Sequence, residues 1–188
     1  MRKIYTIYSE YTPNPNVLKF VSNIDLFKST KEFFEKPNQA EFPLINLIFN
    51  FPFVVKVFLG RNYISIEKNK NLNWIDFSSE VRTFIQQNLN EGTKVSTITA
   101  NKKKSKNTFK SKTEIEKKIE EIIDKDIRPF IQMDGGEIEL ISFEKGIVKV
   151  TLKGACRGCP SSVSTLKDGI ENKLKSIIPE KIKEVVSV

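Results

Sequence analysis

Cys156 and Cys159 stand two residues apart in the stretch GACRGCPSS, residues 154–162, and they are the only cysteines in the chain. There is no histidine. A Cys-x-x-Cys pair can cycle between dithiol and disulfide, supply half of a metal site, or simply pack as buried side chains. Zinc and iron–sulfur centres typically take four protein ligands. Two cysteines and no histidine leave one chain two ligands short. The simple way to reach four thiolates is for two chains to share one centre, each giving Cys156 and Cys159 across a two-fold axis.

The surroundings of the pair suit thiolate chemistry of any of these kinds. The pair follows an expected strand and precedes an expected helix that starts near Pro160, a residue favoured at the first helical position. The free N–H groups and positive dipole end of that helix point towards the thiols and lower their pKa. Arg157 adds a positive charge between the two cysteines. Gly154 and Gly158 let the loop curl so that backbone N–H groups approach sulfur. Thioredoxin-type oxidoreductases also place Cys-x-x-Cys at a helix N-terminus, and a dithiol–disulfide oxidoreductase is the alternative reading. Their pair usually follows a βαβ arrangement and holds Gly-Pro between the cysteines, whereas here it follows a hairpin and holds Arg-Gly.

The elements that must carry this loop are legible from periodicity. Ile115, Ile119, Ile122, Ile123 and Ile127 recur at helical spacing, with Pro129 ending that helix or sitting just beyond it. MDGG, 133–136, reads as a turn that Asp134 caps or braces, and Gly135 and Gly136 supply its unusual backbone angles. Residues 137–154 read as a hairpin about Lys145–Gly146, with Ile138, Leu140, Val148, Val150 and Leu152 inward. Glu137 and Glu139 are expected on its solvent face. Val163, Leu166, Ile170, Leu174 and Ile177 line one face of the helix after the cysteines. Pro179 stops it before a last short strand.

Further towards the N-terminus the pattern is again α+β. KIYTIYSEY and VLKFVSN read as strands joined by a rigid TPNPN turn at 12–16. STKEFFE and EFPLINLIFNF read as short helices, and residues 53–68 as a hairpin about Gly60. Phe77, Val81, Phe84, Ile85 and Leu89 mark an amphipathic helix, with Asp76 or Ser78 as its cap and Gly92 just past its end. Trp74 and the phenylalanines are expected in the core. The expected architecture is two small α+β domains, 1–93 and 113–188, joined by a flexible lysine-rich linker at 94–112.

Charge supports that division. The net charge of +8 over 188 residues suggests a nucleic-acid binder until it is located. Residues 1–93 hold 11 basic and 9 acidic side chains, and residues 113–188 hold 13 and 14. The excess lies in 94–112, with seven lysines and no acid. That is a solvated tether rather than a folded face that tracks phosphates, so nucleic acid is not an expected partner. No apolar run approaches the roughly 18 residues of a membrane span. Residues 1–16 show no apolar export segment, which sets the expectation of a reducing, cytoplasmic setting. No nucleophile–base pair or phosphate-cradling loop appears, so enzymatic activity is not expected.

The combination MDGGEIEL with GACRGCPSSVSTLKDGIENKL resembles the C-terminal domain of NifU-like iron–sulfur cluster scaffold and carrier proteins. YTPNPNVLKF, the 53–68 hairpin and the tryptophan before a helix resemble the N-terminal domain of Nfu-type proteins. Together the two resemblances cover nearly everything except the linker, and no separate U-type scaffold domain is present. The resemblance implies a [4Fe-4S] cluster bridging a homodimer through Cys156 and Cys159. It also implies a cluster donor and apo iron–sulfur client proteins as partners, and the lack of a long apolar run sets the expectation of no membrane partner.

Overall fold

The computed structural model describes residues 3–98, 113–158 and 163–188. They divide into two compact units on either side of a boundary at residue 102. Each combines helices with one sheet, as the α+β expectation requires.

The first unit has a five-stranded antiparallel sheet. Its strands are β1 (Ile7–Tyr11), β2 (Val17–Ser22), β3 (Lys31–Phe33), β4 (Val54–Leu59) and β5 (Tyr63–Lys68), in the spatial order β1-β2-β5-β4-β3. Two helices, α1 (Pro43–Ile48) and α2 (Trp74–Glu91), contribute to the same core. Alternation selects Leu18, Phe20, Val57, Leu59, Ile64 and Ile66 for the face that packs with Ile45, Ile48, Val81 and Ile85. The TPNPN turn is rigid for a visible reason. Thr12 Oγ1 donates to the carbonyls of Asn14 and Val17, and the Val17 N–H donates to Asn14. Trp74 Nε1–H donates to the Asn16 carbonyl at 3.0 Å, so the one buried indole polar group is satisfied and the turn is anchored to the core.

Three expectations for this unit are corrected. STKEFFE is not a helix: Lys31–Phe33 pairs with β4, placing Phe33 opposite Val57. A seven-residue segment is too short to hold a helix on propensity alone, and the edge of β4 offers its backbone a ladder. The cap of α2 is Asn73, whose side chain accepts the Ile75 N–H, rather than Asp76 or Ser78, and Trp74 opens the helix. Gly92 ends it with φ +99°, in the left-handed region as expected. The tether does not begin at residue 94. Val95 is buried in the core, Leu44 N–H donates to the Lys94 carbonyl, and Thr97 N–H donates to Glu41. The rest of that segment, 99–112, lies outside the described residues.

The second unit begins with α3 (Glu114–Ile122), capped by a reciprocal pair in which Thr113 and Glu116 satisfy each other's backbone N–H groups. A π-helical turn (Ile123–Ile127) then leads into α4 (Arg128–Met133). Pro129 lies just beyond the stretch that ends at Ile127, as expected, but the chain stays helical. It sits in the first turn of a new segment, where its missing N–H costs nothing, and the widened turn before it absorbs the break. The strands β6 (Gly136–Glu144) and β7 (Ile147–Gly154) form an antiparallel hairpin about Lys145 (φ +51°) and Gly146 (φ +90°). Helix α5 (Val163–Ile177) crosses back to β8 (Glu184–Ser187), which pairs parallel to β7. The core is aliphatic and includes Ile119, Ile123, Ile138, Val148, Val150, Ile170, Leu174 and Val185. Ile178, just past the end of α5, continues the buried row from Ile170 through Leu174, whereas Ile177 is exposed.

Candidate thiolate site

The cysteine loop leaves the sheet where β7 ends against the start of β6. Gly136 stands opposite Gly154 in the ladder. Gly154 (φ +67°) and Gly158 (φ +73°) both take left-handed backbone, so the loop curls at each of its described ends, as their spacing suggested. The Ala155 N–H donates to the Gly135 carbonyl at 3.2 Å, and the Arg157 N–H to the Gly154 carbonyl at 3.3 Å. The first bond ties the cysteine loop to the Asp-Gly-Gly turn across the sheet.

Within this loop Cys156 is buried, only 4% exposed, and belongs to the unit's apolar core, whereas Arg157 and Gly158 are exposed. Cys159 and Pro160 lie outside the described residues. The structure therefore places one of the two expected ligands and gives the surroundings of its thiol. Among the described residues no group of three or more Cys, Asp and Glu side chains forms a separate metal site. Helix α5 is described from Val163, after the loop, in keeping with a helix N-terminus following the cysteines.

The two glycines of the turn do different work. Gly135 has φ +78° and makes the reversal. Gly136 has no such angle. A methyl group on it would lie 2.5 Å from the Cys156 sulfur and 2.9 Å from the Lys153 carbonyl oxygen. Gly136 is the surface on which Cys156 rests, a closeness that only a glycine permits. Asp134 is the residue at which α4 ends, its N–H bonded to the Phe130 carbonyl, consistent with bracing the turn.

The expectation of a solvated Glu137 is wrong. Glu137 is buried, and its two carboxylate oxygens are divided among several donors. One oxygen takes Arg128 Nη1 and the Ile138 N–H (3.0 Å), and the other takes Gln132 Nε2 (3.0 Å). Arg128 also donates to the Ile138 carbonyl (2.9 Å) and, through Nε and Nη2, to Asp124 (3.0 and 2.7 Å). Burial works against the Arg128 cation, but Asp124 and Glu137 outweigh it and hold its pKa above the ordinary arginine value. Alternation marked Glu137 as outward, which is correct for the strand. The missing information was that α4 covers this end of the sheet. Glu139, two residues on, does face solvent and pairs with Lys153.

On α5, Glu171 accepts from Lys175 and from the Val185 N–H, and these two bonds hold its pKa below the ordinary glutamate value. The second of them joins the helix to β8.

Comparison with known proteins adds two domain matches. Residues 119–186 match the NifU-like domain, and residues 7–92 match the family described as scaffold protein Nfu/NifU N terminal. A NifU-like protein of Schizosaccharomyces pombe is 37% identical, the match covering 97% of this chain and 72% of that protein. A Drosophila grimshawi protein named NFU1 iron-sulfur cluster scaffold homolog, mitochondrial, is 36% identical over 93% of this chain, which spans 59% of its length. A solution structure of a NifU-like protein from Saccharomyces cerevisiae aligns with 51% of this chain and 87% of its own at 21% identity, with a TM-score of 0.44. The expectation of a cytoplasmic setting is overturned, because the Drosophila relatives carry a mitochondrial designation. An apparent lack of an export segment says nothing about such a destination.

Proposed function

Because the chain belongs to the Nfu/NifU family of scaffold proteins, we propose that it holds an iron–sulfur cluster on Cys156 and Cys159 and delivers it to apo-proteins in mitochondria. The observation that carries this reading is the seat of Cys156. A thiol is held against a glycine, in a loop curled by two left-handed glycines and followed by a helix, in a chain with no other cysteine pair and no histidine.

The cargo is a [4Fe-4S] cluster shared by two copies of the chain, since one copy offers two thiolates and the cluster takes four. Cys156 is buried against Gly136, so sharing a cluster with a second chain requires its sulfur to turn outward. Release proceeds by exchange. A client thiol gives up its proton and its sulfur replaces that of Cys156 or Cys159 on iron, while the departing thiolate takes up a proton. The number of sulfur donors on each iron is unchanged, and no electron is transferred. The chain acts as a carrier and not as an enzyme, between a cluster donor and apo-protein clients.

Anaerobic reconstitution with iron and sulfide tests this directly. The expected product is a brown dimer with about four irons and four sulfides per two chains. Cys156→Ala and Cys159→Ala should each abolish the colour while leaving the far-ultraviolet circular dichroism intact. A full cluster retained by either variant would sink the assignment. A colourless monomer that turns over disulfide substrates would favour a dithiol oxidoreductase, and a colourless dimer with one zinc would keep the ligand count but discard the cluster.

A further inference from the structure

We propose that Glu137, held by Arg128, is a positioning residue for Cys156: the pair clamps the joint between α4 and β6 on which the thiol rests. The proposal rests on the reading of Cys156 as a cluster ligand and deepens it.

The seat of Cys156 is Gly136, and Gly136 is the first residue of β6. A glycine has no side chain with which to fix its own place. Its backbone is located by its ladder pairing with Gly154 and by what flanks it. On one side α4 ends at Met133 and the chain reverses through Asp134 and Gly135. On the other stands Glu137, whose carboxylate reaches back over the reversal to Arg128 and Gln132, both on α4. The same carboxylate accepts the Ile138 N–H, and Arg128 donates to the Ile138 carbonyl. Three hydrogen bonds thus span the joint from helix to strand, the Ile138 N–H fixes the carboxylate within β6, and the turn that carries Gly136 lies between helix and strand.

The helix is built to make this possible. The π-helical turn at Ile123–Ile127 lies immediately before Arg128, and such turns recur at functional sites. Arg128 reaches Asp124 with Nε and Nη2 while its Nη1 is directed at Glu137 and Ile138. Asp124 therefore fixes the plane of the guanidinium, and the remaining donor is aimed at the strand. Simple support of the strand does not need a buried carboxylate here. An apolar residue covered by α4 would bury more surface at less desolvation cost. What the ion pair adds is a fixed distance and direction between α4 and the first residues of β6, and Cys156 is the side chain in contact with them.

The test reads the thiol in the iron-free, full-length chain, in a Cys159→Ser background so that one sulfur reports. The probe is iodoacetamide and the readout is the alkylation rate of Cys156 under native conditions. Glu137→Gln keeps size and shape but removes the charge that holds Arg128. It is expected to raise the rate at least about tenfold while the chain stays folded by circular dichroism, because the seat opens locally more often. Arg128→Lys, a milder change that loses the fork, should act in the same direction and serves if Glu137→Gln fails to fold. Leu174→Ala, in the same core but remote in sequence from the turn, is the control for general destabilisation. The proposal is overturned if Glu137→Gln and Arg128→Lys leave the rate unchanged. It is equally overturned if Leu174→Ala raises the rate as much for the same loss of stability. No iron enters the assay, so a failed reconstitution and a failed clamp are separate results.

Discussion

In the first unit, Phe20 and Phe53 meet Trp74 edge to face, and Phe51 meets Phe84 in the same way, with centroid separations between 5.1 and 6.1 Å. In the second, the core is made of isoleucine, valine and leucine with Cys156 at its margin. Large interlocking rings concentrate stability in a few side chains, so removing one leaves a void that its neighbours cannot fill. Branched aliphatic side chains spread it over many small contacts. The unit that carries the thiol has the aliphatic core, and the unit without cysteines has the aromatic one. The sulfur of Cys156 has two parts to play: it packs as a core atom, and it is the proposed cluster ligand.

The largest expected effect strikes the aromatic unit. Trp74→Ala should cost about 3–5 kcal/mol, since it deletes the shared partner of Phe20 and Phe53 and the donor to Asn16. Hydrogen exchange in the full-length chain is the measurement, and amides of β2 and β5 should lose most protection. If they keep it, the rings are not what concentrates stability there.

A smaller effect is expected where the thiol sits. Gly136→Ala places a methyl group on the Cys156 sulfur and should cost about 1–3 kcal/mol, with a displaced loop and impaired cluster loading. Gly158→Ala is the informative contrast. Among the described residues nothing lies within 4 Å of a methyl there, so its expected cost is that of the left-handed backbone. Urea unfolding with iron content after reconstitution separates the two. Equal loss of loading in both variants would contradict the packing role of Gly136.

The smallest effect concerns Lys68, buried at the end of β5, where its ammonium donates to Asn16 and Asn69 oxygens at 3.4 Å. Burial lowers its pKa from the ordinary 10.5. Between that lowered value and 10.5 the unfolded chain binds the extra proton, so this residue makes stability rise with pH across that window. Lys68→Met should remove that rise, seen as a flatter dependence of the urea midpoint on pH. An unchanged slope would mean that Asn16 and Asn69 compensate the ammonium fully.

Much of the site was legible because it depends on local chemistry. Cys156, Gly154, Gly158 and the reversal at Gly135 are positions where residue type and near-neighbour spacing already fix backbone conformation. The role of Gly136 was not legible in the same way. A turn glycine and a packing glycine look alike in one dimension, and only the pairing of Gly136 with Gly154 brings the sulfur over it. Glu137 was misread for a related reason. Alternation along a strand tells which face a side chain takes, but not what covers that face.

The sequence by itself determined the two α+β units, the hairpins, the amphipathic stripes of α2 and α5, and the presence of one cysteine pair with no histidine. Each follows from short-range periodicity or from counting. The tertiary structure alone decided that Lys31–Phe33 is an edge strand, that Val95 closes the first core, and that Pro129 opens a helix after a π turn. It also decided that Arg128 and Glu137 meet across the joint beneath Cys156. Those outcomes depend on which partner a backbone edge or a buried charge finds, and partners distant in sequence are chosen by packing, not by local propensity.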